Sequence, residues 1–308
     1  MSGTIGVLVM AYGTPTGPSD IEPYYTHIRR GRAPSPEQLT ELTARYEAIG
    51  GISPLAARTE AQRAAIEARL DTTHPGRFVV HLGLKHAAPF IEDGVASLVA
   101  AGVDAIVGVV LAPHWSAFSV GQYNERAHAA AAQADRPFIG VERWADLDAF
   151  VAHQAASLTN QVAAGSERTK VVFTAHSLPE RVLEGDPYPD ELHLSARAIA
   201  ERAGLAAWSD WGIAWQSAGR TPEPWRGPDI LTVIDVLAAT GSSDGIIVVP
   251  QGFTSDHLEV VYDLDIEASD RAARAGLDFS RTDVVNADPV VMNALADRVA
   301  STADQLLG

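Results

Sequence analysis

Met10-Ala-Tyr-Gly-Thr-Pro15 and Thr174-Ala-His-Ser-Leu-Pro179 share one pattern: alanine, a ring-bearing residue, a small residue, then a proline. Each closes an apolar strand, over residues 5–10 and 170–175, of the kind that is buried on both faces of a parallel sheet. Each is followed by a second strand, ending at Leu84 or Gln216, and then by a loop containing proline. A third apolar strand follows in both halves and ends at Pro113 or Pro250. The echo predicts an α/β protein of two similar Rossmann-like domains, with parallel sheets flanked by helices and a cleft between them. Ligands of such folds sit beyond the C-terminal strand ends. That rule gathers Tyr12, His86, His114, His176, Ser217 and the helix bearing Glu259 at the cleft.

Outward from these strands, helices are predicted over 21–28, 36–49, 54–70, 89–101, 146–164, 191–204 and 230–239. Ser35 is placed to cap the second of them, and Gly50-Gly51 stops it. Further strands are predicted over 78–84, 105–111, 138–141, 212–216 and 246–250. Residues 289–307 read as one amphipathic helix. The expected first domain is 1–113 together with 287–308, and the second is 114–286.

Composition narrows the function. With 23 Lys and Arg against 39 Asp and Glu, the net charge is −16, which argues against a general nucleic-acid or anionic-membrane binder. Zero cysteines among 308 residues exclude disulfides, thiolate metal sites and a Cys-ligated iron–sulfur cluster. No apolar stretch approaches the ~20 residues that span a bilayer. Residues 1–11 lack a basic region and read as a first strand rather than a signal peptide. The expectation is a cytoplasmic monomer with no nucleic-acid partner and no membrane span.

The chemistry-bearing stretch is Phe253-Thr-Ser-Asp-His-Leu-Glu-Val-Val-Tyr-Asp-Leu-Asp-Ile-Glu267. On an α-helix, Glu259, Asp263 and Glu267 share one face at i, i+4 and i+8. By itself the row reads as a solvated face. His257 just before it, and His176 at another strand end, make Glu259 with His176 a candidate divalent-metal site or acid–base pair. Ser177 lacks the Gly-x-Ser-x-Gly setting of a hydrolase nucleophile. Arg29, Arg30 and Arg32 form a basic island in an acidic chain, either a solvated turn or forked donors for carboxylate or phosphate. Arg45, Tyr46 and Ser53 extend it. Tyr12 reads equally as a packed aromatic or as a phenol facing a ligand.

Together these segments resemble the ferrochelatases, most closely the short type of Gram-positive bacteria that acts on coproporphyrin III. The resemblance rests on the stretches 9–15, 24–32, 45–54, 83–86, 112–114, 175–179, 216–217 and 256–263, in order along nearly the whole chain. It implies a lyase of haem biosynthesis that inserts Fe2+ into a tetrapyrrole, with His176 and Glu259 as the catalytic metal-side pair. It implies Tyr12 as axial ligand of the product iron, and Tyr12, Arg29, Arg45, Tyr46, Ser53 and Tyr123 as substrate contacts. Arg45, Ser217, Asp263 and Glu267 match an outer hydrated-metal site, usually read as Mg2+. The arginine island favours the four propionates of coproporphyrin III over the two of protoporphyrin IX. A downstream haem-pathway enzyme would accept the product.

Three alternatives stand beside this reading. A protoporphyrin IX or sirohydrochlorin chelatase would share the architecture, the latter usually centred on a His pair. A non-catalytic haem carrier would keep Tyr12 and the arginines without needing Glu259, Asp263 and Glu267. A periplasmic binding protein would need an export signal.

Overall fold

The computed structural model describes residues 3–206 and 210–306, and the predicted end of the last helix at Leu307 lies outside them. The chain divides into two compact units, Met1–Trp144 with Asn286–Gly308, and Ala145–Val285.

In the first unit, β1 (Ile5–Ala11) is paired in parallel with β2 (Phe78–Leu84) on one side and with β3 (Ala105–Val110) on the other. β4 (Phe138–Val141) adds outside β3, giving the order β2-β1-β3-β4. Every residue of β1 and β3 is buried, as their unbroken apolar sequences require of central parallel strands. Around them lie α1 (Ile21–Ile28), α2 (Pro36–Ala48), α3 (Leu55–Thr73), α4 (Ile91–Ala100) and α5 (Gln122–Gln133). Ser35 and Gln38 form a reciprocal capping box on α2, satisfying backbone donors at its start. Leu8, Met10, Ile91, Val95, Leu98 and Ile106 form the core on one face of this sheet. Gly94 permits the close approach of α4: a Cβ there would stand 2.4 Å from the Leu82 carbonyl oxygen.

The second unit repeats this winding. β5 (Thr169–His176) lies between β6 (Trp211–Gln216) and β7 (Gly245–Val249), and β8 (Asp278–Arg281) closes the order β6-β5-β7-β8. Its helices are α6 (Asp148–Ala164), the short α7 (Glu180–Leu183), α8 (Tyr188–Arg202), α9 (Ile230–Thr240), the single turn α10 (Leu258–Val260) and α11 (Ser269–Arg274). Val172, Ile234, Ile246, Val248, Val260 and Leu264 belong to its core. The echo extends to details: Leu84 and Trp215 each donate a backbone hydrogen bond to a proline carbonyl, Pro89 or Pro228, just beyond their strand.

Two expectations are corrected and one strand is added. The unit boundary falls after Trp144 rather than after Pro113, because β4 pairs with β3 and so keeps residues up to 144 in the first sheet. The chain then returns through α12 (Pro289–Asp304), whose Arg69–Asp297 and Arg77–Asp304 ion pairs tie it back to the first unit. Strand β8 carries Asp-Phe-Ser-Arg on the sheet edge, too short and polar to register as an apolar run. The carboxylate row is not an α-helix: after α10 the backbone widens into a π-helix over Val261–Ala268. A shorter π-helix, Ala117–Gly121, stands at the corresponding place after β3. Such segments are rare and recur at functional sites.

Candidate active site

In the first unit, the register Ala11↔Leu84 sets Tyr12 beside Lys85 and His86 at the C-terminal edge of the sheet. Gly13 turns the chain at φ +86, where a Cβ would meet Ala87 at 2.8 Å. The Tyr24 hydroxyl donates to the Gly13 carbonyl at 3.1 Å and holds that turn. Tyr12 is 42% exposed at the tip of an otherwise fully buried strand, which favours the ligand-facing reading over the packed one. Its ring lies 4.5 Å from that of His86, centroid to centroid. His86 in turn meets His27, Nδ1 to Nδ1 at 3.0 Å, and His27 stacks on Phe90. Burial, reinforced by Lys85 and His27, lowers the His86 pKa to about 3, so this ring is neutral.

Arg29 lies at the C-terminal end of α1, half-buried, and Arg45 in the last turn of α2. Tyr46, Ser53 and Tyr123 are buried, so each can offer a ligand only its polar tip. The Ser53 oxygen accepts the Leu55 N–H at 3.3 Å and its O–H remains to donate. Burial pushes the Tyr123 phenol well up, keeping it protonated. His114, grouped with the site by its strand-end position, is 3% exposed and belongs to the packed interior.

In the second unit, the register His176↔Gln216 places His176 beside the start of the β6 loop. The His176 Nδ1 faces the Ser177 carbonyl, and the His257 Nδ1 faces the Ser255 carbonyl at 2.9 Å. A carbonyl only accepts, so both Nδ1 atoms carry hydrogen and both Nε2 atoms are turned to other work. Both point at Glu259. His176 Nε2 is 3.5 Å from Oε1, and His257 Nε2 is 3.6 Å from Oε2. Gln216 fixes the backbone beneath by donating to the Glu259 carbonyl at 2.8 Å.

Burial would depress the His176 imidazolium, but the Glu259 carboxylate outweighs it and raises the pKa to about 9. Burial would likewise raise Glu259, and the His176 charge holds it well below the usual carboxylate range instead. The resting pair is therefore imidazolium and carboxylate at neutral pH. Among the described residues no group of three or more His, Cys, Asp and Glu side chains is arranged to hold a metal ion.

Along the π-helix, exposure rises from buried Asp263 to exposed Glu267. Ser217 adopts φ +60, uncommon for a residue with a side chain, and donates its hydroxyl to Asp263 Oδ2 at 2.5 Å. Arg281 on β8 spans the segment from behind. Its Nε reaches Asp265 Oδ1 at 2.5 Å, and its Nη2 reaches Asp265 Oδ2 at 2.9 Å and Asp256 Oδ1 at 3.1 Å. Asp256 precedes Glu259 and Asp265 follows it, so one guanidinium fixes both flanks of Glu259.

The ferrochelatase family model matches residues 4–303 of this chain. The chain belongs to the ferrochelatase family. Among relatives, the coproporphyrin III ferrochelatase of Geobacillus thermodenitrificans is 44% identical, with 98% of each chain covered. The coproporphyrin III ferrochelatase of Bacillus subtilis is 46% identical, over 95% of this chain and 96% of its own. Two solved structures share the fold: SirB from Bacillus subtilis with Fe3+ has a TM-score of 0.59 at 16% identity, with coverages of 99% and 98%. CbiX, the terminal enzyme of siroheme biosynthesis in denitrifying bacteria, has a TM-score of 0.54 at 16% identity, with coverages of 96% and 98%.

Within this ferrochelatase, His176 with Glu259 and Ser217 with Asp263 are brought together; Glu267 stands farther along the same π-helix, and Arg45 lies in the other unit. Sequence reasoning left His257, Gln216 and Arg281 without roles. For His257 a signal was present, since it lies two residues before Glu259; its extended backbone, at φ −159 and ψ −177, is visible only in the structure. Nothing local marks Arg281, whose partners lie 16 and 25 positions away.

Proposed function

We propose that this chain is a lyase that inserts Fe2+ into coproporphyrin III, giving iron-coproporphyrin III in haem biosynthesis. The observation that carries the metal side is the Glu259 carboxylate standing between two Nε2 atoms, His176 and His257. The activity carried by relatives at 44–46% identity supports the substrate.

Metalation replaces two pyrrole N–H protons with one Fe2+. Arg29, Arg45, Tyr46, Ser53 and Tyr123 bind the carboxylate-bearing edge, and binding energy gained there holds the macrocycle in a form that exposes its nitrogens. Fe2+ arriving at Glu259 neutralises the charge that keeps His176 protonated. Its pKa then falls, its proton leaves, and the Nε2 lone pair opens toward metal or pyrrole N–H. Tyr12 supplies a phenol oxygen to the product iron.

Charge favours cation delivery on the second unit, which carries 22 acidic against 10 basic residues, while the first carries 17 against 13. Ser217, Asp263 and Glu267 offer the oxygen donors that suit a hydrated Mg2+, with Arg45 completing the expected set; the ion would supply positive charge that orders these carboxylates. Among the described residues no helix is long and apolar enough to cross a membrane. We take the enzyme to act as a cytoplasmic monomer and to hand its product to a later enzyme of the pathway.

The test is anaerobic Fe2+ insertion into coproporphyrin III and protoporphyrin IX, without detergent, with His176→Ala as control. Turnover that favours coproporphyrin III and is lost in the variant supports the reading. Binding of iron-coproporphyrin without turnover of either porphyrin replaces it with the carrier reading.

A further inference from the structure

Lys85 has no role in the site described above, yet it sits at the same sheet edge as Tyr12, its backbone N–H bonded to the Ala11 carbonyl at 2.9 Å. Its side chain runs over the buried ring of Tyr123, with Nζ 4.9 Å from the centroid, and donates to Gln122 Oε1 at 2.8 Å. Among the described residues it has no carboxylate partner. Glu92, the acid that serves this corner, is taken by the two-pronged fork of Arg126, at 2.9 and 2.7 Å. Burial, then the charges of Arg126 and Arg30, pull the Lys85 pKa down to about 8. Arg30 is exposed and holds φ +56, a left-handed backbone at the end of α1. A half-buried ammonium that keeps donors to spare, has only a neutral amide as hydrogen-bond partner and lies over an aromatic ring is the setting of an anion site short of its anion.

We propose that Lys85, held on Tyr123 and Gln122, forms a further carboxylate subsite that binds one propionate-type arm of the tetrapyrrole and helps select substrates with more than two such arms. The inference rests on the tetrapyrrole-binding reading above. A carboxylate is the fitting anion because the neighbouring rings, Tyr12 and His86, suit a flat macrocycle whose charged groups hang at its edge. Gln122 occupies one of the three ammonium donors and leaves two for the arm.

The experiment measures dissociation constants of metal-free coproporphyrin III and of a two-carboxylate porphyrin, deuteroporphyrin IX. Wild type is compared with Lys85→Met, which keeps the stem on Tyr123, with Lys85→Arg, which keeps the charge, and with Lys85→Gln as a second neutral variant. Loss of a charged hydrogen bond predicts coproporphyrin III binding about 10-fold weaker in both neutral variants, and deuteroporphyrin IX binding changed by less than about 3-fold. Lys85→Arg should recover most of the loss. Equal weakening of both porphyrins, the sign of a purely structural lysine, overturns the inference, as does no weakening of either. Wild type that binds neither porphyrin overturns the underlying reading and the inference with it.

Discussion

The Nε2 of His176 lies 3.5 Å from Oε1 of Glu259, and each residue holds the other in its charged form. Because the Nδ1 of His176 is committed to a carbonyl, this one contact governs the only nitrogen that can bind metal or exchange a proton. Electrostatics and chemistry thus meet on a single atom.

That coupling gives the pair a pH signature. The His176 pKa is raised from 6.5 to about 9, so its contribution to stability is complete below about 6.5 and disappears as pH rises through 9. The Glu259 pKa is lowered from 4.5, so its contribution is present above that value and is lost as pH falls below it. The difference in melting temperature between wild type and Glu259→Gln should therefore be greatest near pH 5–6.5 and shrink toward zero by pH 10. A difference that instead grew with pH would contradict the charged resting pair. Thermal melts across pH 4–10 make the comparison.

Arg281 should matter to iron handling without touching iron. Arg281→Met removes three carboxylate contacts at Asp256 and Asp265, leaves the half-buried Asp256 without its cation, and should cost about 1–2 kcal/mol of stability. Freed on both flanks, Glu259 loses its fixed position, so kcat for metalation should fall about 10-fold while porphyrin affinity stays near wild type. Arg281→Lys should not rescue kcat, because a point charge cannot span two carboxylates as the planar fork does. Denaturant unfolding and steady-state kinetics on the same preparations separate the two effects.

Much of this was legible in the sequence because parallel strands announce themselves. The unbroken apolar runs of β1, β3 and β7 can only be central strands, and their ends are where Tyr12 and Pro250 stand. The echo between halves foretold two similar domains, and the structure gives them equivalent strand orders. What stayed hidden depends on tertiary neighbours. Strand β8 is defined by pairing with β7 rather than by its own four residues. The π-helix over Val261–Ala268 keeps the same carboxylates in sequence but changes the backbone that spaces them, and a count of four residues cannot tell a π-turn from an α-turn. The unit boundary was misplaced for a related reason, since only β4 pairing shows where residues 114–144 belong.

Ser217 offers a test of the outer carboxylates. Its φ of +60 disfavours any residue with a Cβ, while its hydroxyl fixes Asp263. Ser217→Ala keeps the backbone strain and loses the bond, so it should lower stability by ~1 kcal/mol and raise the KM for Fe2+ several-fold. Ser217→Gly loses the same bond and relieves the strain, so it should raise the KM equally with little loss of stability. A KM raised only in the alanine variant would mean that Ser217 acts through local backbone order and not through Asp263.

Tyr12→Phe isolates the phenol. The ring keeps its packing against His86 and Tyr24, so fold and porphyrin affinity should be close to wild type, with stability changed by less than about 0.5 kcal/mol. Only the oxygen is removed, and with it the group expected to bind the product iron. The iron-coproporphyrin complex of the variant should therefore lose the visible charge-transfer absorption of an iron–phenolate bond, and product should dissociate faster. Metalation should continue, because the proposed mechanism puts the proton and metal chemistry on His176 and Glu259. An unchanged absorption spectrum would assign the axial position to another residue, with neighbouring His86, already neutral, as the first to examine.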